Sequence, residues 1–226
     1  MAAEHTDRQL VESWTDNADA WTQVVRDQLI PSRKAGTDAA IVNACQTLGA
    51  GPILDVGCGE GWLVRELGLR GVAATGVDVS APLIAHAQEL GGGVFAVATY
   101  EELERDVAVA AGPWHGIVCN FSLLSEPLHP LLRALRSRLD LHGRLLIQTV
   151  HPWSAKGDAP YRCAWRTESF DAFAIPFPSP MPWYYRTLAS WFEEIAAAGL
   201  RVERIEEPVH PTTGAPLSLL LHCGTA

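Results

Sequence analysis

Five residues, Gly57-Cys58-Gly59-Glu60-Gly61, constrain this chain more than any other segment. They join a short apolar run, Ile53–Val56, to a helix-patterned stretch, Gly61–Leu69. Glycines at such a junction let the backbone turn sharply and let a ligand approach without a Cβ in the way. A loop that opens into a helix also directs free N–H groups and the positive end of the helix dipole toward that ligand. Taken alone, a Gly-x-Gly pattern equally serves an ordinary tight turn. Asp55 narrows the choice, because it sits inside the strand end, two residues before Gly57, where a purely structural segment would place an apolar side chain. Asp78 narrows it further. It ends the next apolar run, 21 positions after Gly57, where an acid can accept hydrogen bonds from both ribose hydroxyls of an adenosine-containing ligand. A dinucleotide fingerprint would need a third glycine at position 62, which here is Trp62, and this tells against a nicotinamide cofactor.

The surrounding pattern predicts the fold class. Strand-like runs at Ile53–Val56, Ala73–Val77, Val94–Ala98, Gly116–Asn120 and Arg144–Val150 alternate with helical stretches at Gly61–Leu69, Ala81–Leu90, Glu101–Ala110 and Pro127–Leu139. Such alternation produces a parallel sheet with helices on both faces. Ahead of it, residues 7–48 read as helical, interrupted at Pro31. The regular beat stops at residues 151–185, which are rich in proline and aromatic residues and have little periodicity; a segment of that kind inside a compact unit is a lid or binding insertion. A helix over Thr187–Ala198 follows, then strands at Arg201–Glu206 and Leu217–His222 whose connection is too short for a helical crossover, so they should pair antiparallel.

Composition limits the partners. A formal net charge of −9 with scattered arginines disfavours nucleic acid. The polar first residues lack the apolar core of a signal peptide, and no run approaches a membrane span. Five well-separated cysteines without a C-x-x-C pair suit free thiols and a cytoplasmic setting. His5, His86, His129 and His142 show no ligand spacing, so no metal is expected.

The motifs carry a resemblance. Leu54-Asp55-Val56-Gly57-Cys58-Gly59-Glu60-Gly61 resembles the first motif of the class I S-adenosylmethionine-dependent methyltransferases, and Gly76-Val77-Asp78-Val79-Ser80 resembles their acidic second motif. The segments 116–124 and 139–147 resemble the motifs at the fourth and fifth strands, so the likeness covers about residues 50–150 in order. It implies a Rossmann-like, doubly wound seven-stranded α/β sheet whose last strand is antiparallel, in one unit over 1–226. Within it, 1–50 would form an N-terminal helical cover, 51–150 the cofactor-binding half, 151–186 the lid inserted after the fifth strand, and 187–226 the terminal helix and hairpin.

The resemblance also implies S-adenosylmethionine as cofactor and gives roles by position. The backbone of Gly57, Cys58, Gly59 and Gly61, with Asp55, would pass under the methionine portion. Asp78 and Val79 would hold the ribose, Thr99 and Tyr100 would border the adenine, and Asn120 and Phe121 would lie beneath the sulfonium. Thr99 stands where many members carry Asp, and His115 where an Asp commonly precedes the fourth strand. In the amino-terminal segment Trp14, Asn17, Trp21, Arg26 and Arg33 are available; Arg33 would meet the methionine carboxylate and Trp21 would cap the pocket, although tryptophans at helical spacing equally suit a packed helix.

Methyl transfer needs alignment, dryness and, for some acceptors, a base. His151, just past the fifth strand, is the candidate base, and His151-Pro152 also suits a plain turn. Trp153, Trp165, Trp183, Tyr184 and Tyr185 suit a small apolar or aromatic acceptor as well as a packing cluster, and Arg186 or Arg162 suits an acceptor carboxylate as well as a structural role. The expectation is therefore methylation of an O or N nucleophile of a small molecule by a monomer or homodimer, away from nucleic acid and membrane. A non-catalytic binder of the same cofactor, and more distantly a nicotinamide-dependent oxidoreductase, are the competing readings.

Overall fold

The computed structural model describes residues 7–105 and 107–226. Seven strands form one sheet: β1 (Ile53–Val56), β2 (Ala74–Asp78), β3 (Val94–Val97), β4 (Trp114–Asn120), β5 (Leu139–Val150), β8 (Leu200–Glu206) and β9 (Ser218–Thr225). Their spatial order is β3-β2-β1-β4-β5-β9-β8. The pairs among β1 to β5 are parallel, with Ile53 opposite both Ala74 and Gly116. Only β9 reverses: it runs antiparallel to β5 on one side and to β8 on the other, so the terminal hairpin closes the sheet as the short connection predicts.

Alternate residues on each strand feed two cores. On one face Leu54, Val56, Ile117, Cys119, Leu145 and Ile147 pack against helices α6 (Tyr100–Arg105), α7 (His129–Ser137) and α9 (Leu188–Ala197). On the other, Ile53, Val118, Leu146 and Leu220 meet α3 (Asp38–Thr47) and α4 (Trp62–Gly68). Because both faces are covered, the central strands read as unbroken apolar runs, and an acid inside one of them is conspicuous. Asp55 is that acid, and it is buried.

Helix α5 (Ala81–Leu90) begins where the Ser80 hydroxyl accepts the Leu83 N–H, with Pro82 in the first turn. The expected helix over 101–110 is instead α6 followed by a single tight turn at Ala108–Ala110.

Two covers sit over the carboxyl ends of the parallel strands. The first is α1 (Asp7–Asp16) with α2 (Ala18–Arg26). The second is the insertion after β5, and here the structure is more regular than its sequence. After the short helix α8 (Pro152–Ala155), β6 (Ala164–Glu168) pairs antiparallel with β7 (Met181–Tyr185) as a separate two-stranded ribbon. Pro182 and the prolines at 176, 178 and 180 hide that ribbon from a search for alternation, since proline is tolerated on an edge strand but breaks the usual strand signal. Leu10 of α1, Met181 of β7 and Phe170 of the intervening loop form a small core of their own, joined by Trp14, Trp21, Phe173, Phe177 and Trp183. No helix among the described residues is long and apolar enough to cross a membrane.

Candidate active site

A cavity of about 910 Å³ lies between the covers and the strand ends, lined by the glycine loop, the ends of β2 and β4, α1 and the ribbon. It occupies the crevice where β1 meets β4 and the strand order reverses, which is where open α/β sheets bind ligands.

Local backbone geometry explains its floor. Gly57, Gly59 and Gly61 all adopt positive φ, at 77°, 56° and 83°. A Cβ on Gly57 would stand 2.2 Å from that of Ser122, and one on Gly61 would stand 2.6 Å from the Phe95 ring. At Gly59 the nearest atom would be Trp21 Nε1, 3.8 Å away, so this stretch of loop faces open cavity. The loop is held from beyond: Gly57 and Cys58 donate their N–H groups to the Val77 carbonyl, and Gly59 donates to Asp78 Oδ2 at 2.8 Å.

Three buried acids surround the loop. Asp78 also accepts the Ser80 N–H at 2.9 Å. Burial raises its pKa, and the backbone N–H groups of Ser80, Gly59 and Val79 oppose that rise. Asp55 has no such help: its Oδ1 is buried without a partner, and burial, with the nearby Asp78 charge second, pushes its pKa up to about 8. Glu60 is neutralised by Arg65 and, at 3.4 Å, by Arg26. An orphaned carboxylate oxygen beside open loop backbone suits a ligand with a cationic end, and the remaining lone pairs of Asp78 suit hydroxyl donors.

The end of β4 is tightly set. Gln148 Nε2 donates to Asn120 Oδ1 at 3.0 Å, Phe121 takes φ 56°, and Ser122 Oγ donates to the Val56 carbonyl at 2.6 Å. A bulky residue at positive φ is strained, and such strain gathers at functional sites. Tyr100 donates its hydroxyl to the Ser122 carbonyl at 2.6 Å. Thr99 and Glu102 cap the start of α6 reciprocally, Thr99 N–H to Glu102 Oε2 and Glu102 N–H to Thr99 Oγ1. On the amino-terminal side Arg33 donates its Nε to Asp38 Oδ1 at 2.8 Å and lies 4.3 Å over the Trp62 ring.

The cavity lining brings together Trp21, Arg33, Asp55, Gly57, Cys58, Gly59, Asp78, Val79, Thr99, Tyr100, Asn120, Phe121 and Trp183; Gly61, between the lining residues Glu60 and Trp62, is turned away from it toward Phe95. Other expected residues lie elsewhere. No histidine among the described residues lines the cavity, and His151 Nε2 is 2.8 Å from Glu207 Oε1 while its Nδ1 is buried without a partner. Trp153 is 62% exposed. Tyr184, Tyr185 and Arg186 stand behind the wall, around a much smaller void. Trp14, Glu60, Trp62, Ser122, Phe170, Phe173 and Met181 line the cavity without having been singled out as site residues. Trp14, seven positions before Trp21, offered a signal, and the two rings now meet edge-on at 5.2 Å. The phenylalanines offered none, because only the ribbon brings them over the sheet.

Comparison with known proteins agrees with this geometry. Residues 27–205 match the family described as methyltransferase domain. A ubiquinone biosynthesis O-methyltransferase of Marinobacter nauticus is 36% identical over 105 residues, a stretch that covers 43% of this chain and 43% of the relative. The chain thus aligns with less than half the length of that curated relative. Among solved structures, the CcbJ methyltransferase of Streptomyces caelestis superposes with a TM-score of 0.68 at 17% identity, over 95% of this chain and 98% of that one. Magnesium protoporphyrin IX methyltransferase of Synechocystis, solved with S-adenosylhomocysteine, gives 0.66 at 16% identity over 98% and 100%. At those identities the superpositions establish the fold, and the family match over most of the length establishes the rest: the chain belongs to the methyltransferase domain family, within the class I S-adenosylmethionine-dependent methyltransferases.

Proposed function

We propose that the chain transfers the methyl group of S-adenosylmethionine to an oxygen or nitrogen nucleophile of a small, largely apolar acceptor. One observation carries this reading: a single cavity joins an acid-lined glycine loop to an apolar chamber built by α1 and the ribbon. The cofactor supplies a methyl group activated by positive sulfur. Asp78 accepts from the ribose hydroxyls, the Gly57–Gly61 backbone runs beneath the methionine portion, and Asp55 Oδ1 receives its ammonium. Arg33 turns the unused edge of its guanidinium to the carboxylate, Val79, Thr99 and Tyr100 border the adenine, and Asn120 and Phe121 lie under the sulfonium.

The acceptor chamber lies beyond Phe121, among Leu124, Phe170, Phe173, Met181 and Trp183. In this reading the chain contributes alignment and exclusion of water, and the acceptor attacks with its own lone pair or anion. His151, engaged by Glu207 outside the lining, has no proton-transfer role in this reading.

Titration with S-adenosylhomocysteine tests the cofactor assignment, with NAD as the control; tight binding of NAD and none of S-adenosylhomocysteine would remove it. Methyl transfer to any member of a panel of phenols, amines and organic acids separates an enzyme from a non-catalytic binder, which would bind the cofactor and methylate nothing.

A further inference from the structure

Arg186 is the least expected charge in the molecule. It follows β7 and is only 2% exposed. Its Nη2 donates to the Ser125 carbonyl, and its Cζ lies 4.8 Å from the Tyr184 ring centroid and 5.5 Å from that of Trp191. Its Nε and Nη1 are buried and have no hydrogen-bond partner. No carboxylate among the described residues forms an ion pair with it; Glu194 and Glu126 act only at longer range. A buried cation with two unsatisfied N–H groups is costly, and such a group calls for an anion. A guanidinium fork is matched in shape and hydrogen bonding by a carboxylate.

The position of that fork gives the cost a use. A void of about 10 Å³ touches Arg186, at the lower limit for one water or one oxygen atom. Leu124, Thr149, Val150 and Trp183 line both this void and the large cavity. The guanidinium therefore stands directly behind the wall of the acceptor chamber, on the side where Ser125 and Thr149 supply the polar lining. The rest of the chamber, where Leu10, Phe170 and Met181 pack with Leu124 and Trp183, is apolar. We infer that the acceptor is an organic acid, whose carboxylate sits against the Leu124–Thr149–Trp183 wall with one oxygen directed to the void at Arg186 while its apolar body fills the chamber.

This inference deepens the methyltransferase reading and rests on it. The measurement uses the full chain saturated with S-adenosylhomocysteine, titrated with benzoate, phenylacetate and 3-phenylpropionate and with the matching neutral amides. At least one acid is expected to bind about tenfold or more tighter than its amide. Arg186→Met is expected to bring acid and amide within about twofold of each other while S-adenosylhomocysteine still binds. Equal binding of every acid and its amide, no binding of any acid, or discrimination that survives in Arg186→Met would overturn the inference. If Arg186→Met does not fold, absence of discrimination in the wild type still overturns the inference, and Arg186→Lys, which keeps the charge but loses the fork, takes the place of Arg186→Met and is expected to weaken the discrimination. Failure of S-adenosylhomocysteine to bind would instead remove the functional reading, so the two failures are distinct.

Discussion

Gly59 donates its backbone N–H to Oδ2 of Asp78 across 2.8 Å, which locks the cofactor loop to the end of the neighbouring strand. The same carboxylate holds the Ser80 N–H and so also sets the start of α5. Asp78 thus shapes the floor it is proposed to serve. Asp78→Ala is expected to lower affinity for S-adenosylhomocysteine about tenfold or more and to cost about 1–3 kcal/mol of stability, because two buried donors lose their acceptor. Calorimetric titration and denaturant unfolding measure the two effects; affinity within twofold of wild type would remove Asp78 from the ribose site.

The glycines separate fold from binding. At Gly57 an added Cβ collides with Ser122, whose hydroxyl bond to Val56 ties β4 to β1. At Gly59 there is room, and only the left-handed backbone opposes a side chain, at about 1–2 kcal/mol. Gly57→Ala should therefore unfold the loop region or lower the melting temperature sharply. Gly59→Ala should fold and lose cofactor affinity, since its methyl group enters the cavity. The reverse order of stabilities would mean that the loop conformation differs from this one.

These positions were legible in the sequence because their chemistry is local. A glycine next to a strand end, an acid inside an apolar run and an acid ending the next strand each announce a constraint within a few residues. The parallel sheet covered on both faces followed from the alternation, and the antiparallel pairing of β8 and β9 from a connection too short to cross over. What the sequence hid depends on distant contacts. The β6–β7 ribbon is masked by prolines, and the chamber it forms with α1 depends on contacts across about 160 residues, such as Asn17 with Ser179. His151 reads as a site histidine from its place after β5, while its pairing with Glu207, far along the chain, has no signal in the sequence.

Asp55 predicts a pH dependence. Its folded pKa of about 8 lies far above the ordinary carboxylate value of about 3.9. The unfolded chain therefore gives up this proton first, and the contribution of neutral Asp55 to stability falls as pH rises from about 4 to 8. A ligand ammonium beside Oδ1 favours the ionised form, so binding S-adenosylhomocysteine at pH 7 should release up to about one proton, declining above pH 9. Titration in buffers of different ionisation enthalpy reads that proton directly. Asp55→Asn should abolish the release; an unchanged proton count in that variant would assign it to another group.

His151 separates two accounts of catalysis. A general base contributes about 10²–10⁴ in rate. Held by Glu207 and outside the cavity lining, its imidazole is expected to matter little, so His151→Ala should keep turnover within about fivefold once an acceptor is known. A fall of the full general-base size would return the residue to the reaction and require the β5–α8 junction to swing inward.

Asn17 joins the two covers and predicts how the chamber opens. Its buried side chain donates Nδ2 to the Ser179 carbonyl at 2.7 Å and accepts the Ser179 N–H at 3.0 Å, an amide-to-backbone pair like one rung of a sheet. The neighbouring Asp16 accepts the Ser179 hydroxyl at 2.7 Å. Asn17→Ala leaves both backbone groups of Ser179 without partners, at a local cost of about 1–3 kcal/mol. Because the covers share a small core separate from the sheet, that cost should appear there and not globally. Hydrogen exchange is expected to quicken by about tenfold or more over 169–185 and to stay near wild type in β1 and β4. Asn17→Asp, which still accepts the Ser179 N–H but cannot donate to its carbonyl, should fall between the two. Exchange that rises equally across the sheet would show the covers to be part of one cooperative core, and exchange unchanged over 169–185 would show that Asn17 does not hold them together.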